Sequence, residues 1–365
     1  METNINSSEA LLIQPEHPDY IFDGEFAENP DLIDIIIPNG IKRIEKWAFD
    51  RCDELKSVFI PESVASIGET AFFYCDSLIS ITIAQNNPVY HSANNCVIET
   101  ASKKLILGCK SSVIPDDGSV TSIGENAFYG CDIENITIPA CVTSIGESAF
   151  SFCRELKSVN LPDGITSICD GTFINCGSLT SITIPDSVTS IGHRAFEGCS
   201  RLTSISIPNG VTSIGDYAFN RCSGLTSITI PNHVASIGDY TFDRYSGLTS
   251  ITVAQGNPVY HSANNCLIET AAKKLILGCK DCFIPTDGSV TSIAHSAFAE
   301  CKGPKELFIP NEIKSIGAAA FSLCQGIKTI YCEAESKPEG WDDKWNINCN
   351  AEVIWGCNGN TENKA

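Results

Sequence analysis

The ten residues NPVYHSANNC stand at positions 87–96 and recur letter for letter at 257–266. They gather a histidine, three asparagines and a cysteine, the residue types of a thiol nucleophile with its base and an orienting amide. That chemistry needs a thiolate held against a positioned imidazole in a cleft. His91 and Cys96 are near neighbours in the chain, whereas such partners ordinarily meet from distant parts of a fold, and one enzyme has little use for two identical nucleophiles. The stretch therefore reads as turn-forming Asn and Ser leading into β-structure, and no catalytic residue is assigned.

Metal and cofactor chemistry is equally sparse. Of 19 cysteines, Cys279 and Cys282 form a C-x-x-C pair without a second half-site, and Ser112 replaces Cys282 in the first copy, so no metal ligand is expected. His17, His91, His193, His233, His261 and His295 share no ligand spacing. No phosphate loop, H-E-x-x-H or acidic calcium loop occurs, and no cofactor is expected. The 24 basic and 44 acidic residues leave a net charge of -20, which repels phosphate backbones and anionic lipid; nucleic acid is excluded as a partner class. No apolar run reaches the roughly 18–20 residues of a membrane span, so no membrane insertion is expected. The start, METNINSSEALLIQPEHPDY, lacks a basic n-region followed by a long apolar h-region.

Both copies of the stretch lie inside a regular pattern. VTSIGDYAFNRCSGLTSITIPNH, beginning at Val211, is preceded by VTSIGHRAFEGCSRLTSISIPNG and followed by VASIGDYTFDRYSGLTSITVAQG, a period of 23 residues. Its most regular marker is a phenylalanine: Phe26, Phe49, Phe72, Phe128, Phe150, Phe173, Phe196, Phe219, Phe242, Phe298 and Phe321, eleven copies in all. The intervals after Phe72 and Phe242 are 56, one repeat plus an insertion of 33, and the duplicated stretch sits in each. In the copy at Val211, Ile228 and Ile230 face one side of a short strand while Ser227 and Thr229 face the other. Pro231 ends the strand. On the return leg Val211 and Ile214 suit a second short extended segment, and Ala218, Phe219 and Cys222 suit one helical turn. A single coil cannot bury these residues; stacked coils can.

The repeated VTSIG..AF..C..LTSITIP resembles the BspA-like leucine-rich repeat proteins of bacterial and protist surfaces. The resemblance covers about residues 18–335 and implies a right-handed curved solenoid with a continuous parallel β-sheet. It also implies cell-surface or secreted placement, although no leader or anchor is visible in the chain and a cytoplasmic protein is the alternative. The organisation expected is a flexible extension over 1–17, a solenoid over 18–335 with hairpin insertions at about 84–119 and 254–289, a cap over 336–357 in which Trp341, Trp345 and Trp355 cover the last coil, and a flexible tail over 358–365.

Within the first insertion, CVIET and LILGC read as a hairpin with Thr100 opposite Leu105, which carries Cys96 opposite Cys109 and places Cys96, Ile98, Leu105, Leu107 and Cys109 on one apolar face. The second copy puts Cys266 opposite Cys279, so two bridges are expected in an oxidising compartment. Nine further cysteines recur three residues after the marker phenylalanine. As rungs of a ladder they fit disulfide geometry poorly and read as buried small hydrophobes; Asn29 and Tyr245 fill the position elsewhere.

What remains is surface. Outward strand positions carry Ser181, Thr183, Ser204, Ser227 and Thr229 through the middle of the array, and bulkier Phe59, Phe308 and Tyr331 near its ends. These eight are the candidate partner-binding residues, with the aromatics as candidate anchors. Their structural alternative is cover for the ends of the core. The function expected is a non-enzymatic interaction or adhesion module that binds a protein or glycan on a host or neighbouring cell. The alternative is a self-associating scaffold or an ice-contacting Ser/Thr lattice.

Overall fold

The computed structural model describes residues 10–243 and 247–357. The chain divides into two compact units, Met1–Val188 and Thr189–Ala365. Each is a parallel-strand β-solenoid, and no helix occurs among the described residues. The 1–17 extension and the 358–365 tail fall partly or wholly outside them, as does Tyr245.

In the first unit one stack joins Leu11–Leu12, Asp34–Ile36, Ser57–Ile60 and Ser80–Ile83, all parallel. Leu11–Leu12 belongs to this stack and Ile13 is buried, so the first coil begins before residue 18. A second stack, on the return leg, joins Tyr20–Ile21, Arg43–Ile44 and Ser66–Ile67. The second unit repeats the scheme, with Ser227–Ile230 against Ser250–Val253 and Ser190–Ile191, Ser213–Ile214 and Ser236–Ile237 on the return leg. Every regular pairing sets a residue beside its counterpart one repeat on, as Ile228 beside Ile251. Alternation then decides burial: Ile228 and Ile230 point inward while Ser227 and Thr229 are exposed.

The short return-leg strand forms, but the helical turn offered as its alternative does not. The segment around the marker phenylalanine is a run of turns, and at Phe26, Phe49, Phe128, Phe150, Phe173, Phe196, Phe219, Phe298 and Phe321 the residues two before and two after it are left-handed, as at Trp47 and Arg51 (φ 55° and 54°) and at Tyr217 and Arg221 (φ 57° and 58°). These backbones direct their N–H groups to the next coil: Tyr217 to Asp239 O, Phe219 to Thr241 O and Arg221 to Asp243 O, at 2.9–3.0 Å. A helix would turn the same donors inward along its own axis. A left-handed non-glycine residue costs of order 1 kcal/mol or more, and a hydrogen bond that satisfies an otherwise buried donor offsets about that much.

The marker phenylalanines stack at coil spacing. Phe26, Phe49 and Phe72 have centroids 5.4 and 5.0 Å apart with planes within 7°, and Phe196, Phe219 and Phe242 follow at 5.6 and 5.8 Å within 10°. Carbon contact is about 3.5–4.0 Å, so parallel rings this far apart must be offset, the arrangement favoured by the ring quadrupole. At the C-terminal end Trp345 meets Phe321 edge-on at 5.5 Å, Trp341 packs against Trp345 and Trp355, and Trp341 Nε1 donates to Ile313 O. These rings close the open end of the core.

Each insertion is a three-stranded antiparallel meander rather than a two-stranded hairpin. Tyr90–Ala93 pairs with Cys96–Glu99, which pairs with Lys104–Leu107. The first turn is Asn94-Asn95, both left-handed (φ 49° and 60°), as a two-residue hairpin turn of the I′ kind requires. The expected register is wrong. Glu99 faces Lys104 and Ile98 faces Leu105; a bulge then sets Val97 against Leu107, and in the second copy Cys266 faces Gly278. The turn is made by residues 100–103 with Lys103 left-handed (φ 56°), one position earlier than the polar run suggested, so Cys96 is not opposite Cys109, nor Cys266 opposite Cys279.

The single apolar face is also corrected, because both faces are covered. Val97 and Ile98 are each fully buried although they point in opposite directions. Val97 joins the core of the preceding coils, and in the second copy Ile268 and Leu275 join the core of the following ones. The third strand enters the return-leg stack itself: Lys104–Leu105 pairs in parallel with Ser122–Ile123. Gly108 then takes the marker phenylalanine's place, donating its N–H to Ala127 O, and a Cβ on it would lie 2.0 Å from the Phe128 ring. The insertion is thus threaded into the solenoid as an abbreviated coil.

Two stability predictions follow from the ladders. Phe219 is fully buried with a ring on either side, so Phe219→Ala should cost about 3–5 kcal/mol in urea unfolding, and Phe26→Ala, at a half-buried ring stacked on one side only, should cost less; equal losses would contradict a stack. Four residues after the marker, Asp53, Asp76 and Asp132 form a carboxylate row, and burial, then the charges of Asp132 and Asp53, raise Asp76 to about 6 although part of its side chain reaches solvent. A carboxyl raised in the folded state favours folding below its ordinary pKa and loses that contribution as pH rises through 6. Asp76→Asn should therefore gain stability relative to the parent between pH 4 and pH 7; a pH-independent difference would refute the assignment.

Candidate functional site

The duplicated stretch is built to close a sheet edge. Asn87 Nδ2 donates to Pro61 O and Val64 O at 3.0 and 2.8 Å, and its Oδ1 accepts from Val89 N and Tyr90 N. Ser92 Oγ accepts from Ile83 N at 3.0 Å. In the second copy Tyr260 OH accepts from Ile237 N at 3.1 Å. Ile83 N is a donor that the next regular coil would have satisfied, as Phe59 O satisfies Ile37 N and Asn160 O satisfies Ile138 N. His91 bonds Thr100 Oγ1 at 2.9 Å, and His261 bonds Thr270 likewise. Cys96 lies elsewhere, fully buried with its Sγ near Asn94 O and Val113 O. Burial pushes its thiol up to about 12, the reverse of what activates a nucleophile. The types that suggested chemistry thus turn to different structural partners.

Every cysteine is a free thiol. Ladder cysteines do more than fill space, because Cys52, Cys75, Cys153, Cys176, Cys222 and Cys324 donate to the carbonyl of the marker phenylalanine one coil back, as Cys153 to Phe128 O at 3.0 Å, Cys176 to Phe150 O at 3.1 Å and Cys222 to Phe196 O at 3.1 Å. Cys279 and Cys282 are buried near Cys266, and burial raises the Cys279 thiol. Among the described residues no group of three His, Cys, Asp or Glu is placed to hold a metal ion, and no helix is long and apolar enough to cross a membrane.

The strand face carries the candidate contact residues. In the first unit Ser181 and Thr183 are exposed, whereas Phe59 is half-buried in register with Ile36 and Thr82. In the second, Ser204, Ser227 and Thr229 are exposed, and Thr229 shares a hydrogen bond of 2.9 Å with Thr252. Phe308 and Tyr331 are half-buried in one row with Ile354. Each unit therefore presents a hydroxyl row and an apolar row separately.

Sequence reasoning missed the clefts left where an insertion interrupts the return leg. Ser66–Ile67 and Ser236–Ile237 each end a sheet, and Lys104–Leu107 and Lys274–Gly278 each belong to the next. One cleft of about 170 Å³ lies between Glu69 and Lys104 in the first unit, and one of about 150 Å³ between Asp239 and Lys274 in the second. The 56-residue intervals were the available signal.

The profile of the BspA type leucine rich repeat region matches residues 19–96, 97–203, 121–249, 166–282 and 279–338. A leucine-rich repeat protein from Bacteroides ovatus is 23% identical, with 94% of this chain and 97% of that one covered at a TM-score of 0.53. One from Eubacterium ventriosum is 24% identical, with 60% and 67% covered at a TM-score of 0.50. These likenesses bear on fold alone. None of the curated proteins is significantly similar. With the 23-residue coils, the paired stacks and this coverage, the chain belongs to the BspA-type leucine-rich repeat family.

Proposed function

We propose that the chain is a non-catalytic interaction module that binds a protein or glycan partner through its exposed strand face, at the surface of the cell or outside it. The observation that carries this reading is the bare strand face of the second unit, where Ser204, Ser206, Ser227 and Thr229 stand exposed on strands whose opposite face is core. Short hydroxyls on a rigid backbone offer donors and acceptors at little entropic cost. Phe308 and Tyr331 supply a half-exposed apolar row on which a partner gains burial. Leucine-rich repeat proteins generally mediate protein interaction, and the family is typical of cell surfaces, which supports the class and the location. Adhesion to a host or neighbouring cell is the specific form we infer.

Steric blocking tests it. Ser204→Lys, Ser227→Lys and Thr229→Lys together alter only exposed positions, so the melting temperature should hold while affinity falls at least about tenfold, or 1.4 kcal/mol. Parent and variant would be immobilised and exposed to extracellular-matrix proteins and neighbouring-cell extracts, with bound species identified by mass spectrometry. Equal capture of the same species by both would remove the strand face from the reading.

A further inference from the structure

We propose that the cleft at the second insertion, in the Thr189–Ala365 unit, is a saccharide subsite that takes the apolar face of a neutral pyranose ring against Tyr240. This site uses other residues than the strand face and does not depend on it.

Tyr240 is held out of the core by its backbone, which is left-handed (φ 57°) two residues before the buried Phe242. It stacks on Tyr217 at 5.0 Å and 12°. Tyr217 is closed from above by the Arg194 guanidinium, 5.2 Å from its centroid. Tyr240 by contrast is 37% exposed and lines the cleft, with His295 standing at right angles 5.2 Å away. The cleft holds about 150 Å³, below the range of about 300–1,000 Å³ typical of drug-sized ligands, so it takes a single ring.

The lining decides the ligand class. Asp239 on one wall accepts hydrogen bonds, and Lys274 on the other donates them, with His295 and Ser296 beside it. A strongly charged ligand of either sign would meet a like charge here. A neutral polyol meets donors and acceptors on both sides while its axial C–H groups rest on the ring. The chain carries its own comparison, because the first cleft has the same backbone origin but places Thr70 where Tyr240 stands and Glu125 where His295 stands. With no exposed ring, that cleft lacks the stacking platform.

The full chain would be titrated by NMR and calorimetry with maltotetraose, cellotetraose, mannotetraose and N-acetylchitotetraose. At least one should bind with Kd of about 1 mM or tighter. Tyr240→Ala should weaken that binding at least tenfold, Tyr240→Phe should keep it, and Ser227→Lys on the strand face should leave it unchanged, which separates this site from the partner surface above. Circular dichroism melts would show that the Ala variant is folded. No binding by any of the four up to about 10 mM, binding indifferent to Tyr240→Ala, or Tyr240-dependent binding of tetramethylammonium in their place would each overturn the proposal.

Discussion

Backbone pairing between a residue and its counterpart one coil on is the constraint from which the rest of the structure follows. Once Ser57 sits beside Ser80 and Ile228 beside Ile251, every side chain has its own copy as a neighbour. Burial then comes in rows. A row of phenylalanines becomes an offset stack and a row of cysteines becomes a line of thiols reaching back to the previous coil's carbonyl. The same rule makes unfavourable rows: burial, then the charges of Asp132 and Asp53, hold the Asp76 carboxyl above its ordinary range.

The constraint also governs what may be inserted. A segment that interrupts a parallel stack leaves rows of unpaired donors and acceptors on both sides of the break. The duplicated stretch answers this on the near side with side chains, Asn87, Ser92 and Tyr260 each taking a backbone group. On the far side the answer is backbone, since Lys104–Leu105 pairs with the next return-leg strand and Gly108 occupies the phenylalanine position. A glycine is required there because the following ring lies where a Cβ would be.

Much of this was legible in the sequence, and the omissions have a common cause. The period, the inward isoleucines and the marker phenylalanines could be read because each depends on side-chain type at a fixed position. The turn run around the markers could not. Its left-handed positions carry Trp47, Arg51, Tyr217 and Arg221 rather than glycine, because hydrogen bonds to the next coil, invisible to local propensity, compensate the backbone cost. The hairpin register failed for a similar reason: a bulge and a turn set one residue early are chosen by contact with coils on either side. Cys96 and Cys109 were paired on alternation alone, and the stack overruled alternation. Of the candidate contact residues, the Ser and Thr positions are exposed, while Phe59, Phe308 and Tyr331 are half-buried.

The division of labour between the two sides of the coil is the last consequence. On the strand face the backbone is engaged in the stack and alternate side chains, such as Ser204, Ser227 and Thr229, are exposed, so those positions vary at little cost to the fold. On the return leg the left-handed residues also project outward, and Tyr240, itself left-handed, stands on a coil tied to the preceding one by bonds such as Tyr217 N to Asp239 O. Where a coil is missing from that side, that ring acquires an open volume beside it. A repeat fold with no loops long enough to shape a pocket can thus form one by interrupting its own repetition, and the residue at the edge of the interruption decides whether the space is merely vacant or chemically specific.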